Sequence, residues 1–349
     1  EINANFNIGH VRVTTQSYLD NATQLPNDLA LLGASQIKKE LEQQYPDMDW
    51  AERIRFGGLL DVADNNGETP AQAPVMGLSA DFFSANSREP ERLNLTNALK
   101  TGHFPQQKGD VLLSHDLAAR MKLSAGDTVS LLSSTMYGDM AVYNFIVCGT
   151  VVFGSPVMDR GTVVADISDV RLALDMEDAT AELLGFFKEG GYDNDLAVER
   201  SSAFNVSHKG DEFSPVMTPL SADKLVGFYA ISAGVYSGVI IFFFILAMSI
   251  VLWNAGLIGA LRRYSEFGVR LAIGEKKNHL YSSLILEAIL VGIVGTIIGT
   301  LVGMLFSYYM QEYGIDMSKM MKDSAVLMPN VYRAKITTAT WFVGLIPGL

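Results

Sequence analysis

Residues 228–253 read FYAISAGVYSGVIIFFFILAMSIVLW and hold no charged side chain. About 20 apolar residues suffice for a helix to cross a ~30 Å hydrocarbon layer, since each residue advances the helix axis by roughly 1.5 Å. The segment is therefore expected to span a membrane. A second uncharged run, residues 288–311, follows directly after Glu287 and sets Gly295, Gly299 and Gly303 at four-residue intervals. Small residues at that spacing let membrane helices approach closely, so a span over 284–311 is expected to pack on other helices through this face. Between the spans, residues 254–283 carry Arg262, Arg263, Arg270, Lys276 and Lys277 against Glu266 and Glu275. Short basic loops stay on the cytoplasmic side. Residues 1–225 and the segment 312–338 then lie outside, although Lys319, Lys322, Arg333 and Lys335 in the latter narrow the charge bias. A further apolar run begins at Ala339 and reads as the start of another span over 339–349. With no initiator Met or signal segment ahead of Glu1, both ends are expected to continue.

A hydrophobic content of 49% and a mean hydropathy of +0.20 are too apolar for an ordinary soluble enzyme and too polar for a bare membrane bundle. Residues 1–225 carry 17 Lys+Arg against 32 Asp+Glu, and the remainder 9 against 6, so the acidity belongs to the outer domain. Such a surface repels phosphate backbones, which excludes nucleic acid as a partner class. Cys148 is the single cysteine and cannot close an intrachain disulfide, so the domain must stand on its apolar core. Sparse cysteine also suits a bacterial periplasm.

Strand signals at 9–15 and 54–62 flank a helical stretch at 34–44 that stops before Pro46, a β-α-β opening. Further strands are predicted at 111–114, 128–132, 143–152 and 162–164, with short helices at 116–121 and 170–174. The expected fold is an α+β extracytoplasmic domain joined to a transmembrane α-helical bundle. Residues 201–219, polar and with two prolines, read as a connecting segment. Residues 133–141 (SSTMYGDMA) join two predicted strands and are expected to expose Met136 and Tyr137, beside Gly138, at a hairpin tip.

Catalytic patterns are missing. No G-x-x-x-x-G-K-[ST] loop occurs, so the chain should not hydrolyse ATP alone. There is no H-E-x-x-H, C-x-x-C or G-x-S-x-G, and His10, His103, His115, His208 and His279 share no metal-ligand spacing. Neither a catalytic nor a metal site is expected, which also disfavours a membrane-tethered enzyme.

Residues 261–273 (LRRYSEFGVRLAI), followed by Gly274, form an amphipathic cytoplasmic helix with Phe267 and Leu271 on one face. Glu266 and Arg270 are spaced for an i,i+4 pair, and Gly274 ends the helix. A basic juxtamembrane anchor is the bland reading; a lever gripping a cytoplasmic partner is the functional one. Glu266-Phe267-Gly268-Val269, then Ala272 and Gly274, then Leu286-Glu287 ahead of a glycine-rich span, resemble the E-[IF]-G-[IV]-x-x-A-x-G signature of the FtsX/MacB/LolC-type ABC transporter permeases. Residues 109–114 (GDVLLS), Leu117-Ala118, Leu123 and Gly126-Asp127-Thr128-Val129, with 147–152, Asp159 and Val163 downstream, resemble that family's MacB-like periplasmic core domain.

The resemblance implies four membrane helices, two of them complete here, with the periplasmic domain inserted between the first and second. It implies a multi-pass protein of the bacterial inner membrane, working as a homo- or heterodimer of permeases on P-loop ATPase subunits. ATP and Mg would be bound by those partners, with no cofactor in this chain. The ATPase-coupling residues would be Arg262, Arg263, Glu266, Phe267, Gly268, Arg270, Ala272 and Gly274. In such machines nucleotide-driven movement of the membrane helices is transmitted to the periplasmic domain, for export or extraction of a lipoprotein, peptide or amphiphile. A periplasmic adaptor or carrier would meet the loop of Met136, Tyr137 and Gly138. The alternative is a non-transporting transducer that regulates a cell-wall hydrolase or relays an outside signal. No Asp, Lys or Arg lies within either span, so nothing marks a polar path at mid-membrane, and Glu287 reads as a cytoplasmic-boundary residue. Met310, Met317, Met320, Met321 and Met328 suit interfacial packing or membrane-lipid contact.

Overall fold

The computed structural model describes residues 4–62, 71–188, 191–208, 210–316, 331, 332, 334 and 336. The chain divides into two compact units, with the boundary after Phe228.

The first unit is one α+β layer pair with a second sheet inserted into it. Strands Val11–Thr15, Met48–Arg53, Glu182–Phe187 and Pro215–Pro219 form an antiparallel sheet in which Pro215–Pro219 and Glu182–Phe187 flank Val11–Thr15, and Met48–Arg53 lies beyond Glu182–Phe187. Helix Ala34–Gln44 links the first two of these strands and helix Asn194–Ser207 the last two. The connectivity is β-α-β-β-α-β with strand order 4-1-3-2, a split β-α-β arrangement. Leu41 and Tyr45 from one helix side, and Ala197 and Phe204 from the other, close over Val11, Val13, Trp50, Leu183 and Met217. The predicted β-α-β opening is corrected: helix Ala34–Gln44 leads from Val11–Thr15 into Met48–Arg53, and the strand predicted at 54–62, observed as Arg55–Val62, belongs to a different sheet.

Residues 55–181 fill the middle connection and build a seven-stranded sheet. Its long strand, Met140–Val151, pairs over its first half with Thr128–Ser134 (Ser134↔Met140, Thr128↔Ile146) and over its second half with Asp110–Ser114 (Asp110↔Ile146, Ser114↔Val151). Thr162–Asp166, Ala71–Ala80 and Arg55–Val62 complete the circuit back to Thr128–Ser134, so the sheet closes on itself. Closure removes the unpaired edges that an open sheet of this size would present. Strand Leu99–Gly102 adds to the long strand beyond the ring. Phe56, Val111, Leu113, Phe145, Val147 and Val163 fill one face, while Leu112, Cys148 and Val164 face a second cluster around Leu93 and Leu95. Burial on both faces explains why these strands read as unbroken apolar runs.

Ile54 alone separates the last strand residue of the smaller sheet from the first of the larger. Around it lie ion pairs that join the two: Arg53 to Glu89 at 2.6 Å, Arg55 to Glu182 at 3.3 Å, Arg92 to Asp49, and Arg171 to Glu52. Arg53 is fully buried, and its other amino group donates to the carbonyls of Asn5 and Phe6 at 2.8 and 3.0 Å.

Two further expectations are corrected here. Residues 201–219 are not a connecting segment: they hold the end of helix Asn194–Ser207 and the strand Pro215–Pro219, clasped by Asn205, whose amide accepts from Met217 N–H and donates to Met217 O. The two prolines are tolerated because this strand is at the sheet edge. Met136 is not exposed: its N–H donates to Leu174 O at 2.8 Å and its side chain enters the core, leaving Tyr137 outside.

The second unit holds helix Lys224–Arg262, the short helix Tyr264–Ala272 and helix Lys277–Glu312. Val235–Arg262 and Lys277–Glu312 are each long and apolar enough to cross a membrane. Gly314, in the left-handed region at φ +68°, then leads into a two-stranded ladder of Ile315–Asp316 with Val331–Tyr332. The span expected over 339–349 and the residues Met317, Met320, Met321 and Met328 lie outside the described residues.

Candidate coupling site

The chain turns between the two apolar helices at Arg263, whose backbone departs from helical geometry and opens the short helix Tyr264–Ala272. The far end of that helix closes with Gly274 N–H on Leu271 O and Glu275 N–H on Arg270 O, both at 3.1 Å. This double bond pattern satisfies the last carbonyls and requires a left-handed residue, which Gly274 supplies at φ +95°. The predicted stop is thus a true helix cap.

Four charged side chains fix the helix. Arg263 Nε donates to Glu266 Oε2 at 3.2 Å, and Arg270 donates to Glu266 Oε1 at 3.0 Å, so the predicted i,i+4 pair forms and gains a second cation. Arg263 Nη1 also reaches both carboxylate oxygens of Glu287, each at 2.9 Å. The Arg263 guanidinium stands 5.8 Å over the ring of Phe267. Hydrogen bonding from Arg263, before the charge of Arg263 and of Arg270, holds the Glu266 carboxyl below its ordinary pKa. Glu287 is therefore the anchor of Arg263 on the next helix, a role that sequence spacing did not suggest because 24 positions separate the two.

The helix directs Phe267 inward beside Arg263 and Glu287 and presents Tyr264, Val269 and Ile273 to the outside, at 77%, 63% and 79% exposure. The apolar face expected from Phe267 and Leu271 is thus only half of its apolar surface. Arg262 is exposed and has no hydrogen-bond or ion-pair partner among the described residues. Gly268 and Ala272 lie within the helix, exposed, and no atom stands within 4 Å of where a Cβ on Gly268 would be. Gly295, Gly299 and Gly303 line a groove shared with Phe244, Met248 and Leu252 of the first apolar helix. No atom lies within 4 Å of their would-be Cβ atoms, so the close helix approach expected of them is not made among the described residues. In the first unit, Tyr137 is 72% exposed and Gly138 takes φ +88° at the turn closed by Thr135 and Asp139.

Residues 238–349 match the model of the FtsX-like permease C-terminal family. This part of the chain is an FtsX-like permease domain. The match bears out the family resemblance carried by Glu266 to Gly274 and by Leu286-Glu287. Permeases of this family work with a cytoplasmic ATPase, and an ABC permease role follows for the chain at that level. No curated protein matches the permease in sequence. Among solved structures, the periplasmic region of MacB from Actinobacillus actinomycetemcomitans is similar at a TM-score of 0.40 and 12% identity, over 60% of this chain and 87% of that one. That likeness is too distant to carry an argument about this permease.

Proposed function

We propose that this permease subunit converts ATP hydrolysis in a separate cytoplasmic ATPase into movement of its first unit on the far side of a bacterial inner membrane, for export or extraction of a lipoprotein, peptide or amphiphile. The observation that carries the reading is the double attachment of Arg263. It clamps the short helix through Glu266 and, through Glu287, ties that helix to the next apolar helix. A force applied to Tyr264, Val269 and Ile273 is then passed on to Lys277–Glu312 rather than absorbed at the turn. The exposed apolar trio, flanked by Arg262, Lys276 and Lys277, suits a groove with an apolar floor and an acidic rim on the ATPase. ATP and Mg belong to that partner. A second permease copy is the natural occupant of the glycine-lined groove, and Tyr137 with Gly138 offers a place for a periplasmic adaptor or carrier.

The test is a mild-detergent pulldown of the full-length protein from its native membrane, with mass spectrometry of the retained proteins and lipids. Co-purification of a P-loop ATPase, lost on Val269→Glu, supports the coupling site. Its absence while the permease remains assembled overturns it. A retained lipoprotein or amphiphile supports extraction or export, whereas a retained cell-wall hydrolase moves the function to regulation of that enzyme.

A further inference from the structure

The seven-stranded sheet draws together three side chains that no sequence spacing relates. His103 follows the outer strand Leu99–Gly102, Asp110 opens strand Asp110–Ser114, and Cys148 lies on Met140–Val151 between those two strands. One imidazole nitrogen, one carboxylate oxygen and the thiol sulfur all lie within 4.8 Å of one another.

Each side chain is disposed for ligation. His103 Nδ1 sits 2.7 Å from the Phe104 carbonyl, so it carries the proton and donates, which leaves the lone pair on Nε2. A backbone carbonyl on the far ring nitrogen is the usual way in which a metal-bound imidazole is oriented. Asp110 is 3% exposed, and both of its donors, the N–H groups of Gln106 and Gln107 at 2.9 and 3.2 Å, land on Oδ2. Among the described residues Oδ1 accepts no hydrogen bond. Cys148 is equally buried and donates its S–H to Val111 O at 3.2 Å. His103 is exposed and gives the cluster an opening to solvent. The approach of His103 is built into the backbone: its N–H donates to Cys148 O at 3.0 Å, and the preceding Gly102, at φ +79°, passes so near that a Cβ would stand 2.2 Å from that carbonyl.

We infer that His103 Nε2, Asp110 Oδ1 and Cys148 Sγ bind one zinc ion, with a water as fourth ligand on the side of His103. One thiolate and one imidazole are poor ligands for Mg²⁺ or Ca²⁺, which take oxygen donors, and suit Zn²⁺. Zinc holds such N, O and S atoms tetrahedrally at about 2.0–2.3 Å, so small rotations of the exposed His103 and of Asp110 suffice to close the site. On binding, the S–H bond of Cys148 breaks, its proton leaves to solvent and a Zn–S bond forms. The thiolate and the carboxylate then balance the charge of the ion. The ion would pin residues 103–109 to the closed sheet. This inference does not rest on the permease reading.

The test uses the full-length protein in detergent, stripped with a chelator and titrated with Zn²⁺ alone and, separately, with Co²⁺. Expected are one equivalent of Zn²⁺ per chain, a thiolate-to-cobalt absorption band that Cys148→Ser abolishes, and an affinity at least tenfold weaker in His103→Ala and Asp110→Asn. His103 is outside the core, so its variant reports on ligation even where the buried replacements fail to fold. Zinc uptake unchanged in His103→Ala, or a cobalt spectrum without a thiolate band, overturns the site.

Discussion

Arg263 Nη1 sits 2.9 Å from each carboxylate oxygen of Glu287, a contact that joins the short helix to the second apolar helix. Both side chains are about half exposed, so the pair adds little to stability. Its value is positional. Arg263→Glu is expected to leave the thermal unfolding temperature within a few degrees while uncoupling the partner's ATP hydrolysis from function. The exchanged double variant Arg263→Glu, Glu287→Arg should restore part of the coupling, measured as substrate-dependent ATPase activity of the reconstituted complex. No recovery in the double variant means that the two residues act separately.

Gly299 lines a groove in which a Cβ would meet no atom of the described residues within 4 Å. Gly299→Leu is therefore expected to leave the subunit folded yet reduce the assembled fraction, read by the size of the detergent-solubilised complex. An unaltered assembly shows that no helix closes on this face.

Arg53 is fully buried at the junction of the two sheets and its guanidinium meets Glu89 at 2.6 Å. Removing Arg53 leaves the buried Glu89 with the longer contact to Arg92 at 3.7 Å, and breaking a buried pair costs about 3–5 kcal/mol. Arg53→Met should lower the urea midpoint of the full chain accordingly, and Arg53→Met with Glu89→Leu should recover much of the loss. Equal midpoints for single and double variants would show that the pair is not a unit.

Burial pushes the Asp169 carboxyl above its ordinary value of 3.8, against the hydrogen bonds it accepts from Gly109 N–H and Tyr143 O–H. A raised folded pKa means that the folded state holds the proton more tightly than the unfolded one. The stabilising contribution is then complete below the ordinary value and is lost as pH rises through the folded pKa. The unfolding temperature of wild type relative to Asp169→Asn should rise as pH is lowered from about 7 to about 4. A difference that is flat over that window contradicts the burial argument.

What was legible in the sequence followed from local pattern. Uncharged length marked the helices, the i,i+4 spacing of Glu266 and Arg270 marked their ion pair, and Gly274 marked the cap. The apolar run 143–152 marked a strand, of which residues 147–151 are buried. What was missed depends on distant pairing. Met48–Arg53 (MDWAER) carries three charged residues and reads as surface, because its charges are satisfied across the sheet junction by residues far along the chain. The burial of Met136 depends on a bond to Leu174 O that no loop composition encodes. His103, Asp110 and Cys148 meet through the pairing of adjacent strands rather than through spacing, as do Arg263 and Glu287 through a helical hairpin.

Nesting one sheet inside the connection of another also imposes a timetable on the nascent chain. Val11–Thr15 is made well before its two neighbours, Glu182–Phe187 and Pro215–Pro219. The inserted sheet draws all its strands from residues 55–166 and can be complete while that early strand still waits. During those seconds of synthesis, at roughly 5–20 residues per second, the early strand offers bare edges to any passing chain. A chaperone that shields Val11–Thr15 until Pro215–Pro219 has emerged would shorten the interval in which that strand lacks both neighbours.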